Sequence, residues 1–416
     1  MRILHLSLTN FRNYARLELD LPEGVMLLQG SNAQGKTNLL EAIYCLSRTR
    51  SPRTSTDREL VNWLTLEDEL PFARLVARIQ KSDGVDQIEL SLVQSNSQNR
   101  HRDTPGMRKH IRLNGASKRA VDVIGQLNAV LFLPEDIELA AGPPSLRRHY
   151  LDDIIGQIDR KYRRELQRYS QVVAQRNSLL KSLRSRGGDP PQLLFWDQRL
   201  VEHGAYLLVR RQQVIRKLNE YMTGIHFKLT GETERLRIEY HASTCPEDGS
   251  ITAHQTTLLP EQGVPSATEL STPEERIGAA FSAELRRVRR RDLEQGVSTI
   301  GPHRDDFRFA VDGVDMNTYG SRGQQRTCVL SLKLAEVELM RQERQDEPVL
   351  LLDDVVSELD AARRSCLLDT IAGVQQVIVT ATDLMLYGQD FCARVSRWQV
   401  CAGRLKELTF DPEVAS

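Results

Sequence analysis

The sequence predicts an α/β fold that is interrupted by an inserted, mainly helical arm domain. Three observations lead to this prediction. A glycine-rich loop at residues 30–37 lies between an apolar run and a helical pattern, an apolar run at residues 349–352 ends in two aspartates, and helical periodicity fills residues 145–222 between them. Strand, glycine loop and helix in that order are typical of an α/β unit, and the long helical segment separates its two halves.

The predicted fold begins with two β-hairpins. Residues 3–8 and 17–21 alternate apolar and polar side chains on either side of the segment Asn10-Phe11-Arg12-Asn13-Tyr14. Residues 72–92 repeat this alternation around the turn Ser82-Asp83-Gly84. A period of two residues with a turn between the segments predicts antiparallel strands.

The strongest functional signal is the loop Gly30-Ser31-Asn32-Ala33-Gln34-Gly35-Lys36-Thr37, a complete G-x-x-x-x-G-K-[ST] match. The two glycines let successive backbone amides turn toward a phosphate at the N-terminus of the following helix. In this motif Lys36 reaches the β- and γ-phosphates, and the hydroxyl of Thr37 binds Mg²⁺. A chance match is disfavoured, since the flanking strand and helix patterns are the context that the motif requires.

Two residues of the first hairpin are close enough in sequence to reach the nucleotide. Arg12 is a candidate phosphate ligand, and Tyr14 is a candidate for packing against the base. The alternative interpretations are a solvated turn residue for Arg12 and a half-buried aromatic for Tyr14.

The middle of the chain predicts the helical arm. Apolar residues recur every three or four positions from Ser145 to Leu183 and again from Leu193 to Met222, and the segment Gly187-Gly188-Asp189-Pro190-Pro191 stops the first pattern. We predict two long helices that form an antiparallel hairpin projecting from the first domain. Residues 241–274 are rich in Ser, Thr, Pro and Gly and predict a connector. The predicted domains are therefore residues 1–144, 145–295 and 296–416.

The C-terminal part supplies a second half of the site. Val349-Leu350-Leu351-Leu352 predicts a buried parallel strand that delivers Asp353 and Asp354 to the sheet edge where ligands of α/β proteins bind. We expect Asp353 to hold Mg²⁺ through its water shell and Asp354 to orient or deprotonate the attacking water.

The segment Ser321-Arg322-Gly323-Gln324-Gln325 precedes an amphipathic helix and predicts another helix N-terminus suited to an anion. One nucleotide cannot readily satisfy two such sites that face opposite ways. A two-fold dimer, in which the serine-glycine segment of one subunit covers the γ-phosphate held by the other, resolves this conflict.

Composition restricts the partners. Lys and Arg together number 56, as do Asp and Glu, so a DNA site must be a local patch. Basic clusters lie at residues 48–53, 160–164 and 285–291, and for each the alternative is an ordinary solvated surface. The six cysteines show no zinc-ligand spacing, and no apolar run approaches the roughly 18 residues that span a bilayer. We therefore expect a cytoplasmic protein with no membrane partner.

These segments resemble a known superfamily. Gly30 to Thr37, Ser321 to Gln325, Asp353-Asp354 and Ser357-Glu358-Leu359-Asp360 are similar, in this order, to the Walker A, signature, Walker B and D-loop segments of ATP-binding-cassette (ABC) ATPases. The helical insertion resembles the SMC branch. The segments around Arg12 and after Thr37, together with Gly301-Pro302-His303-Arg304-Asp305-Asp306, resemble the RecF family of bacterial recombination mediators. The implied fold is an ABC/SMC-type P-loop ATPase head.

The resemblance implies an ATP-dependent homodimer with weak, DNA-dependent ATPase activity. Members of the family bind DNA at single-strand gaps and single-strand/double-strand junctions, and with RecO and RecR they promote RecA loading in gap repair and the SOS response. By this resemblance the cofactors are ATP and Mg²⁺, and Asn38 joins Gly30 to Thr37 and Arg12 in binding ATP. Lys36 and Asp354 are the expected catalytic residues, Thr37 and Asp353 hold the metal, and Ser357 and Asp360 belong to the D-loop.

Some positions depart from the superfamily pattern. Its catalytic glutamate is matched by the shorter Asp354, which agrees with slow hydrolysis, and its switch histidine is matched by Thr382. Gln126 is the candidate for the Q-loop glutamine. Two alternatives share the phosphate loop: an ATPase subunit of another machine, such as a membrane transporter or SMC-like complex, and a small-molecule kinase. The long insertion disfavours the transporter, and the second half of the site has no purpose in the kinase.

Overall fold

The computed structural model describes residues 1–66, 70–94, 106–186, 191–244 and 272–408. The chain forms two compact units. The first comprises Met1–Asp136, Lys228–Thr230 and Glu336–Ser416, and the second comprises Ile137–Phe227 and Gly231–Ala335. The predicted division at residues 295/296 differs from this grouping, because residues 296–335 belong to the same unit as the helical segment.

The elements are numbered in chain order. The strands of the described residues are β1 (Arg2–Phe11), β2 (Tyr14–Asp20), β3 (Gly24–Gln29), β4 (Phe72–Lys81), β5 (Gly84–Gln94), β6 (Met107–Leu113), β7 (Ala116–Ser117), β8 (Ala129–Phe132), β9 (Leu236–His241), β10 (Asp306–Val311), β11 (Val314–Asp315), β12 (Val349–Asp353), β13 (Gln376–Ala381), β14 (Ser396–Cys401) and β15 (Arg404–Leu408). The α-helices of the described residues are α1 (Lys36–Arg48), α2 (Ala120–Val123), α3 (Glu138–Ala141), α4 (Pro144–Ile158), α5 (Arg160–Arg186), α6 (Gln192–Leu229), α7 (Pro273–Gln295), α8 (Met316–Tyr319), α9 (Arg322–Arg344), α10 (Ala361–Ala372) and α11 (Gln389–Ala393).

A largely parallel sheet in the first unit carries the site. Its strand order is β15-β14-β3-β13-β12-β8, and all neighbours are parallel except the β14–β15 hairpin. Every residue of β12 and of β13 is buried, as expected for strands covered on both faces. Because β3 and β12 both pair with β13, the residues that follow them meet at one edge of the sheet.

The other sheet of the first unit is antiparallel, in the order β2-β1-β4-β5-β6-β7. The two predicted hairpins are confirmed as β1–β2 and β4–β5. Alternate residues of β1 and β4, including Leu6 and Leu8 of β1 and Leu75 and Ile79 of β4, are fully buried in the core of this unit. The period-two pattern in the sequence therefore reflects one buried face of this sheet.

The second unit contains the long helices and a small antiparallel sheet in the order β11-β10-β9. Buried guanidinium groups cross-link its helices. Arg176 on α5 donates to Asp197 on α6 at 2.8 Å and to Asp292 on α7 at 2.6 Å, and Arg211 on α6 donates to Asp152 on α4 at 2.7 Å. Each buried cation thus has its counter-charge, which a buried ion requires.

One long helix was predicted from Ser145 to Leu183, and this prediction is wrong in one respect: two helices, α4 and α5, share the segment. Asp159 leaves the helical conformation and its carboxylate accepts a hydrogen bond from the backbone amide of Tyr162 at 2.9 Å. The same side chain also accepts from Tyr206 and Arg210 of α6. A single aspartate therefore separates the two helices, caps the second and ties it to α6.

The predicted connector falls mostly outside the described residues, since residues 245–271 are not described. Strand β9, which ends at His241, was not predicted. The basic segment 285–291 lies on α7, as predicted. None of the described helices combines the length and the apolar composition needed to cross a lipid bilayer.

Candidate nucleotide-binding site

The predicted phosphate loop connects β3 to α1. Gly30 and Gly35 adopt φ angles of 159° and 115°. A Cβ atom on Gly30 would lie 2.6 Å from the carbonyl oxygen of Val400, and one on Gly35 would lie 2.5 Å from the side-chain amide of Asn13. Gly35 thus requires glycine for both backbone angle and space, and Gly30 requires it for space. Ser31, Asn32 and Ala33 between them are exposed.

Lys36 is the first residue of α1 and is buried. Its ammonium donates to the backbone carbonyls of Gly30 and of Ser31, the latter at 3.1 Å. Burial lowers the pKa of Lys36, whereas the nearby charges of Asp354 and Asp353 act in the opposite direction. The lysine therefore lies inside the loop, close to both carboxylates.

Thr37 and Asp353 are in direct contact. The Thr37 hydroxyl lies 3.0 Å and 2.8 Å from the two carboxylate oxygens of Asp353, and the hydroxyl of Thr380 on β13 donates to the first of these oxygens at 2.8 Å. A hydroxyl and a carboxylate are hard oxygen ligands of the type that Mg²⁺ prefers, so this pair fits a magnesium ion held beside phosphates. The structure thus brings together the two residues predicted to bind the metal.

Asp354 follows the end of β12 in a left-handed conformation, with φ 50°. The backbone amide of Asp354 donates a hydrogen bond to the hydroxyl of Thr380 at 2.9 Å, which helps to hold this unfavourable conformation. Burial raises the pKa of the Asp354 carboxyl, and the charge of Asp353 adds to this effect. A carboxylate with a raised pKa is better suited to accept a proton than an ordinary aspartate.

Thr382 is exposed, and its hydroxyl lies 3.4 Å from an oxygen of Asp354; its match to the superfamily's switch histidine stays a prediction. Gln126 accepts a hydrogen bond from Lys81 at 3.1 Å, and its assignment to a Q-loop stays a prediction.

Two segments that are distant from the loop in sequence hold it in place, the turn of the first hairpin and the β14–β15 turn, and no local sequence pattern predicts this arrangement. Asn13 donates to the carbonyl of Gln34 at 2.9 Å and accepts from the Asn38 side chain at 2.8 Å. In the β14–β15 turn, the amide of Ala402 donates to the Gln34 side chain at 2.7 Å, and the amide of Gly403 donates to the Gln34 carbonyl at 3.1 Å. The alternating segments around Ala402 and Gly403 signal a hairpin, but not its contact with the loop.

The two candidate residues of the first hairpin have partners within the protein. Arg12 makes a bidentate ion pair with the buried Glu41, at 2.9 Å and 2.8 Å, and its contact with ATP stays a prediction. Tyr14 is fully buried and donates to the carbonyl of Gly35 at 2.9 Å. The suggested packing of Tyr14 on the base is therefore wrong, because its ring lies in the core and supports the loop from below.

The predicted signature segment belongs to the second unit. Ser321, Arg322 and Gly323 are exposed at the start of α9. The Ser321 hydroxyl accepts from the amide of Gln324 at 3.3 Å, and Gln325 is buried and donates to the carbonyl of Met316 at 3.0 Å. Capping and burial thus fix the segment while its first three residues face outward.

The predicted D-loop residues lie in the first unit, directly after Asp354. Ser357 donates to the carbonyl of Asp354 at 2.7 Å, and Asp360 caps α10 by accepting from the amide of Arg363 at 2.9 Å. Both side chains are exposed.

Comparisons with known proteins agree with one another. The family model described as RecF/RecN/SMC N terminal domain matches residues 2–399. The chain is 42% identical over 412 residues to the DNA replication and repair protein RecF of Chloroflexus aurantiacus, covering 97% of this chain and 99% of the relative. It is 38% identical over 387 residues to the protein of the same name from Bacillus subtilis, covering 92% and 94%.

Solved structures give the same result. A structure described as the recombination mediator protein RecF-ATPrS in the RecFOR pathway matches with a TM-score of 0.79 and 31% identity over 98% of both chains. An SMC head bound to the C-winged helix domain of ScpA matches with a TM-score of 0.52 and 14% identity, over 100% of this chain and 99% of that one. The second similarity shows a shared fold.

Proposed function

Because this chain belongs to the RecF family and has the fold of ABC/SMC-type ATPase heads, we propose that it is an ATP-dependent DNA-binding protein of recombinational repair and replication. The observation that carries the proposal is the contact between Thr37 and Asp353, which joins the phosphate loop to the end of β12, where both aspartates lie. This pair, with Lys36 and Asp354 beside it, provides the functional groups that a nucleotide-hydrolysing site needs.

Each residue of the site has a distinct role in the proposal. The backbone amides of the exposed residues 31–33 and the ammonium of Lys36 bind the phosphates of ATP. Asn38, in the first turn of α1, completes the set of ATP-binding residues. Thr37 and Asp353 would hold Mg²⁺, which would supply neutralisation of the phosphate charge. Asp354 orients the attacking water and accepts its proton. Proton transfer to one short carboxylate agrees with weak hydrolysis that acts as a switch. In this proposal DNA stimulates that hydrolysis.

The exposed start of α9 supports an ATP-dependent homodimer. Ser321 and Gly323 present a capped helix N-terminus on the surface, and such an end favours an anion. In the proposed dimer, this segment contacts the γ-phosphate bound by the other copy, and Ser357 and Asp360 lie at the same junction. ATP binding would then join two subunits, and hydrolysis would release them.

The substrate in this proposal is gapped or single-stranded DNA and its junction with duplex DNA. The proposed partners are RecO and RecR, and through them RecA is loaded in gap repair and the SOS response. The description of one similar solved structure places that RecF protein in the RecFOR pathway, which supports this assignment for the family. The proposed location is the cytoplasm.

Sedimentation velocity with and without ATP tests the proposed ATP-dependent dimerisation. The wild-type chain is expected to dimerise only with ATP, and K36A is expected to remain monomeric because it loses the phosphate-binding ammonium. S321R is expected to bind ATP normally but fail to dimerise, since a bulky cation replaces the serine at the junction. S185R, at an exposed serine of α5 in the same unit, is the control and should dimerise like the wild type.

Two results would contradict the proposal. One is a wild-type chain that stays monomeric with bound ATP, and the other is a K36A variant that dimerises as the wild type does. DNA titrations with gapped, duplex and single-stranded DNA, with and without ATP and at two salt concentrations, test the substrate. ATP-independent binding of all three DNAs with equal affinity would contradict the assigned role.

A further inference from the structure

The densest basic segment of the sequence is largely neutralised by its own neighbours. On α7, Arg287 pairs with Glu284 at 2.6 Å, Arg289 pairs with Asp197 at 2.9 Å, and Arg290 pairs with Glu294 at 2.9 Å. An arginine already bound to a carboxylate gains less from a phosphate, because it must exchange one anion for another. Basic sequence content therefore does not by itself locate a DNA contact.

Arg148 on α4 and Arg304 in the turn before β10 behave differently. Arg148 donates to the carbonyl of Asp305 at 2.9 Å, and Arg304 donates through Nε to the carbonyl of Ser298 at 3.0 Å. Within the described residues, neither guanidinium has a carboxylate at ion-pair distance. Arg148 is half-buried and Arg304 is exposed. The direct hydrogen-bond partners of both guanidinium groups are therefore carbonyl oxygens and not carboxylates.

The neighbouring carboxylates are committed elsewhere. Asp306 makes a bidentate pair with Arg147 at 2.7 Å and 2.9 Å. Asp305 is fully buried and accepts hydrogen bonds from Tyr240 at 2.5 Å and from Ser243 at 2.7 Å. Moving either carboxylate to Arg148 or Arg304 would break these buried contacts.

Arg148 has lost part of its hydration. Burial lowers its pKa, the charges of Asp306 and Asp305 oppose this effect, and those of Arg211 and Arg304 add to it. A partly desolvated guanidinium with no carboxylate at ion-pair distance gains from an external anion that accepts its hydrogen bonds.

A rigid turn presents Arg304. Gly301 adopts φ 120°, and a Cβ atom there would lie 2.4 Å from the hydroxyl of Tyr169. The amide of Arg304 donates to the carbonyl of Gly301 at 2.7 Å, which closes the turn. The turn that positions Arg304 also positions the Asp305 carbonyl that holds Arg148, so the two guanidinium groups are pre-organised together.

We propose that Arg148 and Arg304 bind a phosphate of the DNA backbone. This inference rests on the proposed function and assigns a DNA contact to two named residues of the second unit. Guanidinium groups match phosphate oxygens in geometry and charge, and such a contact fixes the position of the DNA without reading its sequence.

The test is fluorescence anisotropy of the full-length chain with single-stranded and gapped DNA, in Mg²⁺ and ATP, over a range of salt concentrations. R148Q and R304Q are each expected to lower affinity by roughly tenfold at low salt and to reduce the salt slope by about one. R148K and R304K keep the charge and should retain most of the slope. R290Q is the matched control, because Arg290 lies in the same unit with its side chain 92% exposed and paired with Glu294.

Nucleotide affinity and ATP-dependent dimerisation are measured on the same samples, and both should be unchanged in all variants. Wild-type affinity and slope in the R148Q/R304Q double variant would overturn the inference and leave the proposed function intact. An equal loss in R290Q would also overturn it, since the effect would then be one of general charge. A wild-type chain that binds no DNA would overturn both the inference and the proposed function.

Discussion

The hydroxyl of Thr37 lies 2.8 Å and 3.0 Å from the two carboxylate oxygens of Asp353, although the residues are 316 positions apart in the sequence. Strand β12, which ends at Asp353, and strand β3, which precedes the loop leading to Thr37, are both neighbours of β13, and Thr380 on β13 donates to the same carboxylate. The site is therefore assembled by the parallel register of three strands, and its metal ligands depend on that register.

Replacing Asp353 with asparagine should abolish metal-dependent hydrolysis. The amide removes the negative charge and places a donor where the Thr37 hydroxyl and the metal need an acceptor. We expect the hydrolysis rate in Mg²⁺ to fall by about 100-fold or more, whereas ATP affinity in EDTA changes little. The measurements are phosphate release and nucleotide binding by fluorescence. D390N, at an exposed aspartate of the same unit, should hydrolyse ATP at the wild-type rate; equal losses in both variants would exclude a specific metal role.

Replacing Asp354 with asparagine should separate binding from hydrolysis. The side chain keeps its size and its contact with Thr382, but it can no longer accept a proton from water. Hydrolysis should fall by about 100-fold or more while ATP binding persists, so that the dimer remains on DNA. Sedimentation and DNA dissociation kinetics measure this trapped state. Rapid dissociation of the D354N variant in ATP would show that release does not depend on Asp354.

The sequence predicted the elements whose patterns are local. The alternation of apolar and polar residues in β1 and β2 arises because one face of these strands is buried. The apolar run of β12 arises because both faces of that strand are buried. The phosphate loop was found because glycine spacing, the preceding strand and the following helix all lie within a short segment. Asp353 was placed correctly at a sheet edge because parallel strands share the direction of their carboxyl ends.

Other features depend on contacts that no local pattern encodes. Asp159 divides the predicted helix because its carboxylate is held by Tyr206 and Arg210 from α6. Strand β9 is stabilised by β10, which lies on the far side of residues 245–271 in the sequence. The position of Tyr14 near the loop in the sequence suggested contact with a base, but long-range packing places its ring in the core.

His303 should make stability depend on pH. Burial lowers its pKa to about 4, and the charges of Arg304, Arg148 and Arg176 contribute, although the carbonyl of Ser298 opposes them. Since the unfolded chain has a His pKa near 6.5, it takes up a proton before the folded chain does. Stability is therefore fully present above pH 6.5 and is lost as the pH falls from 6.5 toward 4, by about 2 kcal/mol between pH 7 and pH 5.

The variant H303N tests this dependence, because asparagine can still accept the hydrogen bond that Tyr169 donates to Nδ1 at 2.7 Å. Denaturant unfolding at pH 7 and pH 5 should show a smaller loss of stability in H303N than in the wild type. H149N, at an exposed histidine of the same unit, is the control and should keep the wild-type pH dependence. An unchanged dependence in H303N would refute the assignment.

Gly403 should influence nucleotide binding although it lies near the C-terminal end of the described chain. Its amide donates to the carbonyl of Gln34, and a Cβ atom there would lie 2.5 Å from the carbonyl oxygen of Asn13. G403A should therefore displace Asn13, which holds both Gln34 and Asn38, and lower ATP affinity by roughly tenfold. Isothermal titration with ATP measures the effect.

The matched control for this prediction is G115A. Gly115 is the second residue of the two-residue β6–β7 turn, with φ 80°, as Gly403 is in the β14–β15 turn, with φ 73°. No atom of the described residues lies within 4 Å of the Cβ position of Gly115, so both variants carry backbone strain of the same kind and only G403A carries the clash with Asn13. If G115A lowers ATP affinity as much as G403A does, general destabilisation accounts for the loss. If G403A alone does so, the β14–β15 turn holds the phosphate loop in its binding shape.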